Sequence, residues 1–513
     1  MSASGAAAAP GAPRDAASPS HSNADLSPGE LRRLFFRVFP SVAVPMFMAA
    51  IDATIVSAAL TNIAASLGDV ERISWVVTSY LIASTIAAPV YGRLGDVLGR
   101  KRLMRGALLL FVVASAGCAF APTMMWLTVA RVFQGFGGGG LMTLSQALIG
   151  ETVPPRQRGR FQGYMVAIFM CASAFGPVAG GWLTAGFGWR SVFLVNVPLG
   201  AAAMYMVQRL PARQAAAGRF RFDLLGLLWF TLFVVPLLLA LERAQQFDLR
   251  ALPVVAASVL VSVASLVLLL RQERRSAAPL IPVRLLAQPA MWRCNAMAVC
   301  IGAALVSNVT FMPIYLQVVR GIPPGGVGLL LLPLTAGVGL GSLFTGRSIT
   351  RTGRLAVFPS VGLPLATLFL TVLALGAPYL GLLELPAVFA LMSLTLGTGM
   401  PVVQITTQVV AGQQNLGAAS ASVQFSRSIG AAIGTALVGA VLFALLAAQD
   451  PHTARLFGAI VEQGPQVMAG LPDGERAAVA AEIAWAFRGA FLAVAAFAGL
   501  ATLLAWSLPV RKL

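Results

Sequence analysis

The chain has 513 residues, 58% of them hydrophobic and only 11% charged, with a mean hydropathy of +0.82. A soluble protein of this size carries roughly 25% charged residues, so lipid must solvate much of this one, which is therefore a polytopic membrane protein. The net charge of +18 raises a nucleic-acid reading, but the placement of the basic residues argues against it. Two histidines are too few for a histidine-rich metal site or an intramembrane histidine relay. The four cysteines (Cys118, Cys171, Cys294, Cys300) lie in or beside apolar runs without CxxC spacing and read as small apolar residues. Neither a metal nor a cofactor is expected.

Residues 1–37 form a tail, rich at first in Ala, Pro, Ser and Gly, without the pattern of a signal peptide; it reads as disordered and cytosolic. Fourteen apolar runs follow, each long enough to cross about 30 Å of hydrocarbon. They fall near 38–63, 74–92, 105–122, 124–148, 161–184, 191–209, 223–241, 251–270, 293–318, 327–346, 356–376, 385–410, 419–447 and 485–508. With the N-terminus inside, 26 Lys and Arg face the cytosol, 8 face the opposite side, and Arg131 and Arg427 lie within spans. This is the positive-inside signal of an inner membrane, with both termini cytoplasmic. Arginine supplies 34 of the 36 basic residues, which points weakly to GC-rich bacterial coding. The connection 448–484 holds five acids and reads as a solvated extracytoplasmic loop; short helices over the outer mouth are the competing reading.

In the first run, Met48 to Leu60, stands Asp52, the only acid expected deep within a span. An ionised side chain at a bilayer centre costs on the order of 3 kcal/mol on the mildest scale, so Asp52 is the candidate to carry a coupling proton, a cationic substrate, or each in turn. Arg131 in the fourth run, followed by Gln134 and Gly135, is its counterpart; tying helices together is the alternative role. The loop after the second run, Gly92-Arg93-Leu94-Gly95-Asp96-Val97-Leu98-Gly99-Arg100-Lys101, combines turn glycines with Asp96, which can face a helix N-terminus or an arginine. A degenerate copy, Gly346 to Arg354, follows the tenth run with Thr350 in place of the acid. Gly176, Pro177, Gly180 and Gly181 in the fifth run read as a kink and close helix packing. Asn308, Phe311, Met312 and Tyr315 share one helical face, as do Gln404, Thr407 and Gln408; each face suits either a pocket or helix packing.

The ordering G-x-L-x-D-x-x-G-R-K resembles the signature loop of the major facilitator superfamily, with Val97 where that family usually has a basic residue. Arg131-x-x-Gln134-Gly135 is similar to its fourth-helix motif, and Gly176-Pro177-x-x-Gly180-Gly181 to the motif of its drug:proton antiporters. Asp52-Ala53-Thr54-Ile55-Val56 and Phe425 to Gly434, which includes Arg427, resemble the first and thirteenth helices of the fourteen-helix EmrB/QacA branch. The segment Trp189 to Pro198 resembles that group's sixth-helix opening. The resemblance implies a six-helix bundle over 38–209, two extra helices within 210–292, and a second six-helix bundle over 293–513. It further implies alternating access around a midplane substrate site. The expected activity is proton-coupled efflux of amphipathic, cationic or lipophilic compounds, with a periplasmic adaptor as a candidate partner. An exporter of a metabolite, siderophore or sugar stays open as the alternative. A membrane enzyme lacks its paired carboxylates or His/Cys cluster.

Overall fold

The computed structural model describes residues 28–69, 72–210, 222–244, 252–276, 278–381, 383–463, 467 and 472–513. In lipid a chain must satisfy its own backbone groups, and among the described residues helices do so almost throughout. The only extended pairing there is a bridge between Arg354 and Lys512.

The first half comprises α1 (Pro28–Ile55), which passes through a 3-10 turn (Val56–Ala59) into α2 (Leu60–Leu67), then α3 (Ile73–Leu98), α4 (Arg100–Ala119), α5 (Met124–Thr152), α6 (Arg158–Phe187), α7 (Ser191–Leu194) and α8 (Asn196–Gln208). Two helices follow, α9 (Leu224–Ala244) and α10 (Leu252–Arg275), then a short α11 (Val283–Leu286). The second half contains α12 (Pro289–Val318), α13 (Pro324–Thr352), α14 (Val357–Gly376), α15 (Glu384–Leu396), α16 (Gly399–Ala411), α17 (Leu416–Gln449), α18 (Pro451–Gln463) and α19 (Asp473–Trp506).

Thirteen helices among the described residues are long and apolar enough to cross a membrane. The 29-residue α5 is not among them; Arg131, Gln134 and the run Gly137 to Gly140 dilute its apolar character. Large apolar side chains such as Leu109, Leu260, Leu329 and Leu340 are exposed around the outside, where lipid would cover them.

Two expectations change. Residues 1–27 lie outside the described residues, but helix begins at Pro28, within the expected tail, and its Phe35 stacks on Phe39 at 4.7 Å. Residues 448–484 are not simply a loop. Asp450 accepts hydrogen bonds from the backbone N–H groups of His452 (3.0 Å) and Thr453 (3.1 Å), capping α18. Phe457 and Ile460, three residues apart, are buried from α18 into the second half. These capping bonds, first that of His452, hold the exposed Asp450 carboxyl below the usual carboxylate range.

The halves meet along two seams. On one, α3 crosses α17 where a Cβ on Gly92 would lie 2.6 Å from the Gly417 carbonyl oxygen. On the other, α6 crosses α13 where a Cβ on Gly159 would lie 2.5 Å from the Gly346 carbonyl oxygen. Only glycine lets backbones approach so closely. Both crossings lie at the end that carries the Gly92–Lys101 loop, so that end is closed. Helices α9 and α10 lie against the first seam: Phe230, Val234 and Leu238 join Val90 of α3 and Ile429 of α17 in one apolar cluster. Phe230 and Phe425 rings stand 5.1 Å apart.

Candidate functional site: a sealed carboxylate cluster

Asp52 and Arg131 are both 0% exposed, and Arg131 Nη1 lies 2.6 Å from Asp52 Oδ2. The other carboxylate oxygen, Oδ1, accepts from Gln134 Nε2 (2.8 Å) and Asn196 Nδ2 (2.7 Å). Both amides also donate to Ser115 Oγ at 3.0 Å, and Ser115 in turn donates to the Phe193 carbonyl at 2.9 Å. Arg131 reaches further, with Nε donating to the Val76 carbonyl (3.0 Å) and Nη1 to Gln134 Oε1 (2.9 Å). Its guanidinium carbon lies 4.2 Å from the centre of the Tyr80 ring, a cation–π contact. The Tyr80 hydroxyl donates to the Ala49 carbonyl at 3.1 Å.

The cluster thus draws on α1, α3, α4, α5 and α8. Spacing explains part of it: Arg131 and Gln134, three residues apart on α5, present one face to Asp52. The glycines after them serve close packing, since a Cβ on Gly137 would lie 2.9 Å from the Phe111 backbone nitrogen of α4. Gly176 and Gly180 abut Thr54 and Ile55, so α6 rests against the α1 segment just beyond Asp52, where the α-helix gives way to a 3-10 turn. Gly181 points into open space and does not share this contact. Both Asp52 oxygens thus accept hydrogen bonds, one of them from the charged Arg131.

At the closed end, Asp96 bonds Arg100 and accepts from the backbone N–H groups of Gly417 (2.9 Å) and Ala418 (3.1 Å). Those groups open α17, so the carboxylate meets a helix N-terminus as well as an arginine, the two partners the sequence offers it. Arg100 also pairs with Glu151 at 2.6 Å. Lys101 donates to the Gln208 carbonyl at 2.9 Å and to that of Leu210, capping α8. Gly99 adopts φ 92°, which permits the abrupt turn between α3 and α4. In the second seam, Thr350 Oγ1 accepts from the Arg160 backbone N–H at 3.0 Å, a weaker copy of the Asp96 contact.

The residues expected to form a pocket are scattered. Gln134 belongs to the Asp52 cluster. Asn308 donates to the Ala304 carbonyl of its own helix at 2.9 Å, while Phe311 and Met312 are buried in the second half's core. Tyr315 packs its ring 5.4 Å from Phe487 and 5.5 Å from Phe491 of α19. Gln404 donates to Ser420 Oγ at 3.1 Å, and Gln408 to the Gln146 carbonyl at 2.9 Å. A cavity of about 270 Å³ lies elsewhere, beneath residues 280–286, lined in part by Pro89, Trp292, Asn295, Phe425 and Ser426. Arg427 stacks on Phe169 of α6, with its guanidinium carbon 4.6 Å from the ring centre. Sequence reasoning missed Asn196, Ser115 and Tyr80 as parts of the site. A polar Asn inside an apolar run was the available signal for Asn196; the other two carried none.

Comparison with known proteins places these features in a wider setting. The profile described as Major Facilitator Superfamily matches residues 42–435. An uncharacterised transporter of that type from Mycobacterium tuberculosis is 32% identical over 441 residues, 84% of this chain and 64% of the relative; the chain thus spans under two thirds of that protein's length. The multidrug transporter protein MdtP of Bacillus subtilis is 30% identical, with 78% of this chain and 74% of the relative covered. The drug efflux pump JefA of Mycobacterium tuberculosis is 31% identical, with 80% of each covered. Among solved structures, the proton:xylose symporter XylE superposes with a TM-score of 0.58 at 13% identity, covering 94% of this chain and 97% of that one, a likeness of fold alone.

Proposed function

The chain belongs to the major facilitator superfamily, and from that premise we propose that it is a proton-coupled multidrug exporter moving amphipathic compounds by alternating access. The sealed pairing of Asp52 with Arg131 carries this reading. An ion pair within a membrane bundle is retained where its making and breaking serves transport. The names of relatives such as MdtP and JefA support export, and the crossing of Gly176 and Gly180 with the Asp52 segment supports coupling. In this reading α5 is the fourteenth span, both termini are cytoplasmic, and the membrane is a bacterial inner membrane. The closed end faces the cytoplasm, so the state described is shut toward the inside.

The chemistry follows from the donors. A proton on Asp52 Oδ2 takes the place of the Arg131 N–H and leaves the carboxyl neutral, removing the charge that holds α1 to α5. Reprotonation from outside and release inside then alternate with substrate movement in the opposite sense. Each proton entering gains about 2.3 kcal/mol per 100 mV of membrane potential. Asp52→Asn leaves the side-chain shape but cannot take up the proton, and its amide N–H faces either Arg131 or two other amide donors. Proteoliposomes carrying Asp52→Asn should lose gradient-driven dye efflux; normal efflux by that variant would sink the proposal. Melting of the purified variant, read in parallel, separates lost coupling from lost structure.

A further inference from the structure

Arg427 has no task in the cycle above, yet it occupies the middle of the molecule. It lies eleven residues after Leu416, the first residue of α17, a rise of about 16 Å and so near half the thickness of the hydrocarbon. Phe169 lies equally far along α6, which begins at Arg158, and the two side chains stack on each other across the halves. Phe169 borders apolar cores of both halves.

One Arg427 nitrogen donates to Gln424 Oε1 at 2.8 Å, and Gln424 reaches Met142 Sδ of α5 at 3.6 Å. Among the described residues Arg427 makes no ion pair with an acid, unlike Arg72, Arg100 and Arg131. A guanidinium carries five N–H donors. Arg427 is partly exposed, and none of its nitrogens is both buried and unpartnered, so its donors beyond the Gln424 bond are not sealed within the core. Asp52 is the opposite case: fully sealed, with both oxygens taken. A cation entering between the halves therefore finds Asp52 already taken, whereas an anion finds a guanidinium stacked on Phe169 with no acid paired to it among the described residues.

We propose that Arg427 binds the acidic group of the transported compound, and that the substrates are amphipathic organic anions, a carboxylate or sulfonate on an aromatic or apolar body. The proposal rests on the reading of the chain as a small-molecule exporter and turns the substrate charge expected from the sequence from positive to negative. The test is binding to the purified full chain in detergent, without any gradient, of two xanthene dyes of opposite charge, anionic fluorescein and cationic rhodamine 6G. Fluorescein should bind about tenfold tighter than rhodamine 6G. Arg427→Gln should weaken fluorescein binding by about 10- to 100-fold, as loss of a charged hydrogen bond does, and leave rhodamine 6G unchanged. Arg427→Lys, which keeps the charge, should retain the preference for the anion. Absence of fluorescein binding, equal affinity for the two dyes, or an unchanged preference in Arg427→Gln overturns it. Because no gradient is used, such a failure leaves the Asp52 coupling proposal standing, and failure of Asp52→Asn to stop efflux leaves this one standing.

Discussion

The two halves share a plan but not an interior. In the second half one apolar core runs from Cys294 of α12 to Leu508 beyond α19 without interruption. In the first half the core is divided: one cluster holds Ala49, Tyr80 and Phe111, another holds Ile51, Val76 and Cys118, and the Asp52–Arg131 layer lies where they meet. The corresponding helix of the second half, α12, buries only neutral Ser307 and Asn308. Charges within a bundle interior are costly and seldom improve stability over apolar packing. The half that carries them has therefore given up continuity of its core for a buried ion pair, while the core of the other half holds no such pair among the described residues.

The largest test of that contrast is Arg131→Ala, which leaves Asp52 sealed and unpaired. It should cost about 3–5 kcal/mol and show as a lowered melting temperature and lost folded material on size exclusion. Asn308→Ala should cost about 1 kcal/mol or less, because it removes a single hydrogen bond within one helix. Equal damage from both would erase the distinction between the halves.

A smaller contrast separates the two seams. Asp96→Asn weakens a charged contact to the start of α17 and should destabilise the closed end by about 1.5–3 kcal/mol, whereas Thr350→Ala should cost about 0.5–1.5 kcal/mol. Spin labels placed across each seam would read the widening, and it should be greater across α3 and α17. A third contrast lies within α6. Gly176→Leu forces a side chain into Thr54 and should cost about 1–3 kcal/mol with loss of dye efflux. Gly181→Ala, in open space, should stay within about 0.5 kcal/mol in a melting assay.

Much of this was legible beforehand for a simple reason: lipid imposes length and composition on every span, so apolar runs reveal helices whatever their packing. Asp52 stood out because a carboxylate in such a run is expensive, Arg131 because an arginine there is costly too, and Gln134 because it follows Arg131 in the fourth-helix motif. Asn196 and Ser115 could not be placed with them, since they come from α8 and α4 and only tertiary packing brings them to the carboxylate. The faces expected to line a pocket show the same limit in reverse. The polar-aromatic stripe ending at Tyr315 has the periodicity of a lining, but the aromatic rings of α19, far along the chain, claim it for the core. Likewise α18 was hidden in a polar stretch whose apolar residues are few but correctly spaced.

The inserted pair α9–α10 has one more consequence. Its apolar face touches α3 and α17 together, through Val90 on one side and Phe425 and Ile429 on the other, so it bridges both halves along a single seam. The seam between α6 and α13 has no such cover among the described residues. Thr78 of α3 donates to Glu242 of α9 at 3.0 Å, whereas the contact of Phe230 with Phe425 of α17 is apolar and non-directional, so in the proposed cycle the pair travels with α3 and slides over α17. With one flank covered and the other uncovered among the described residues, the motion of the proposed cycle should be lopsided: a door hung on one jamb rather than a symmetrical rocker.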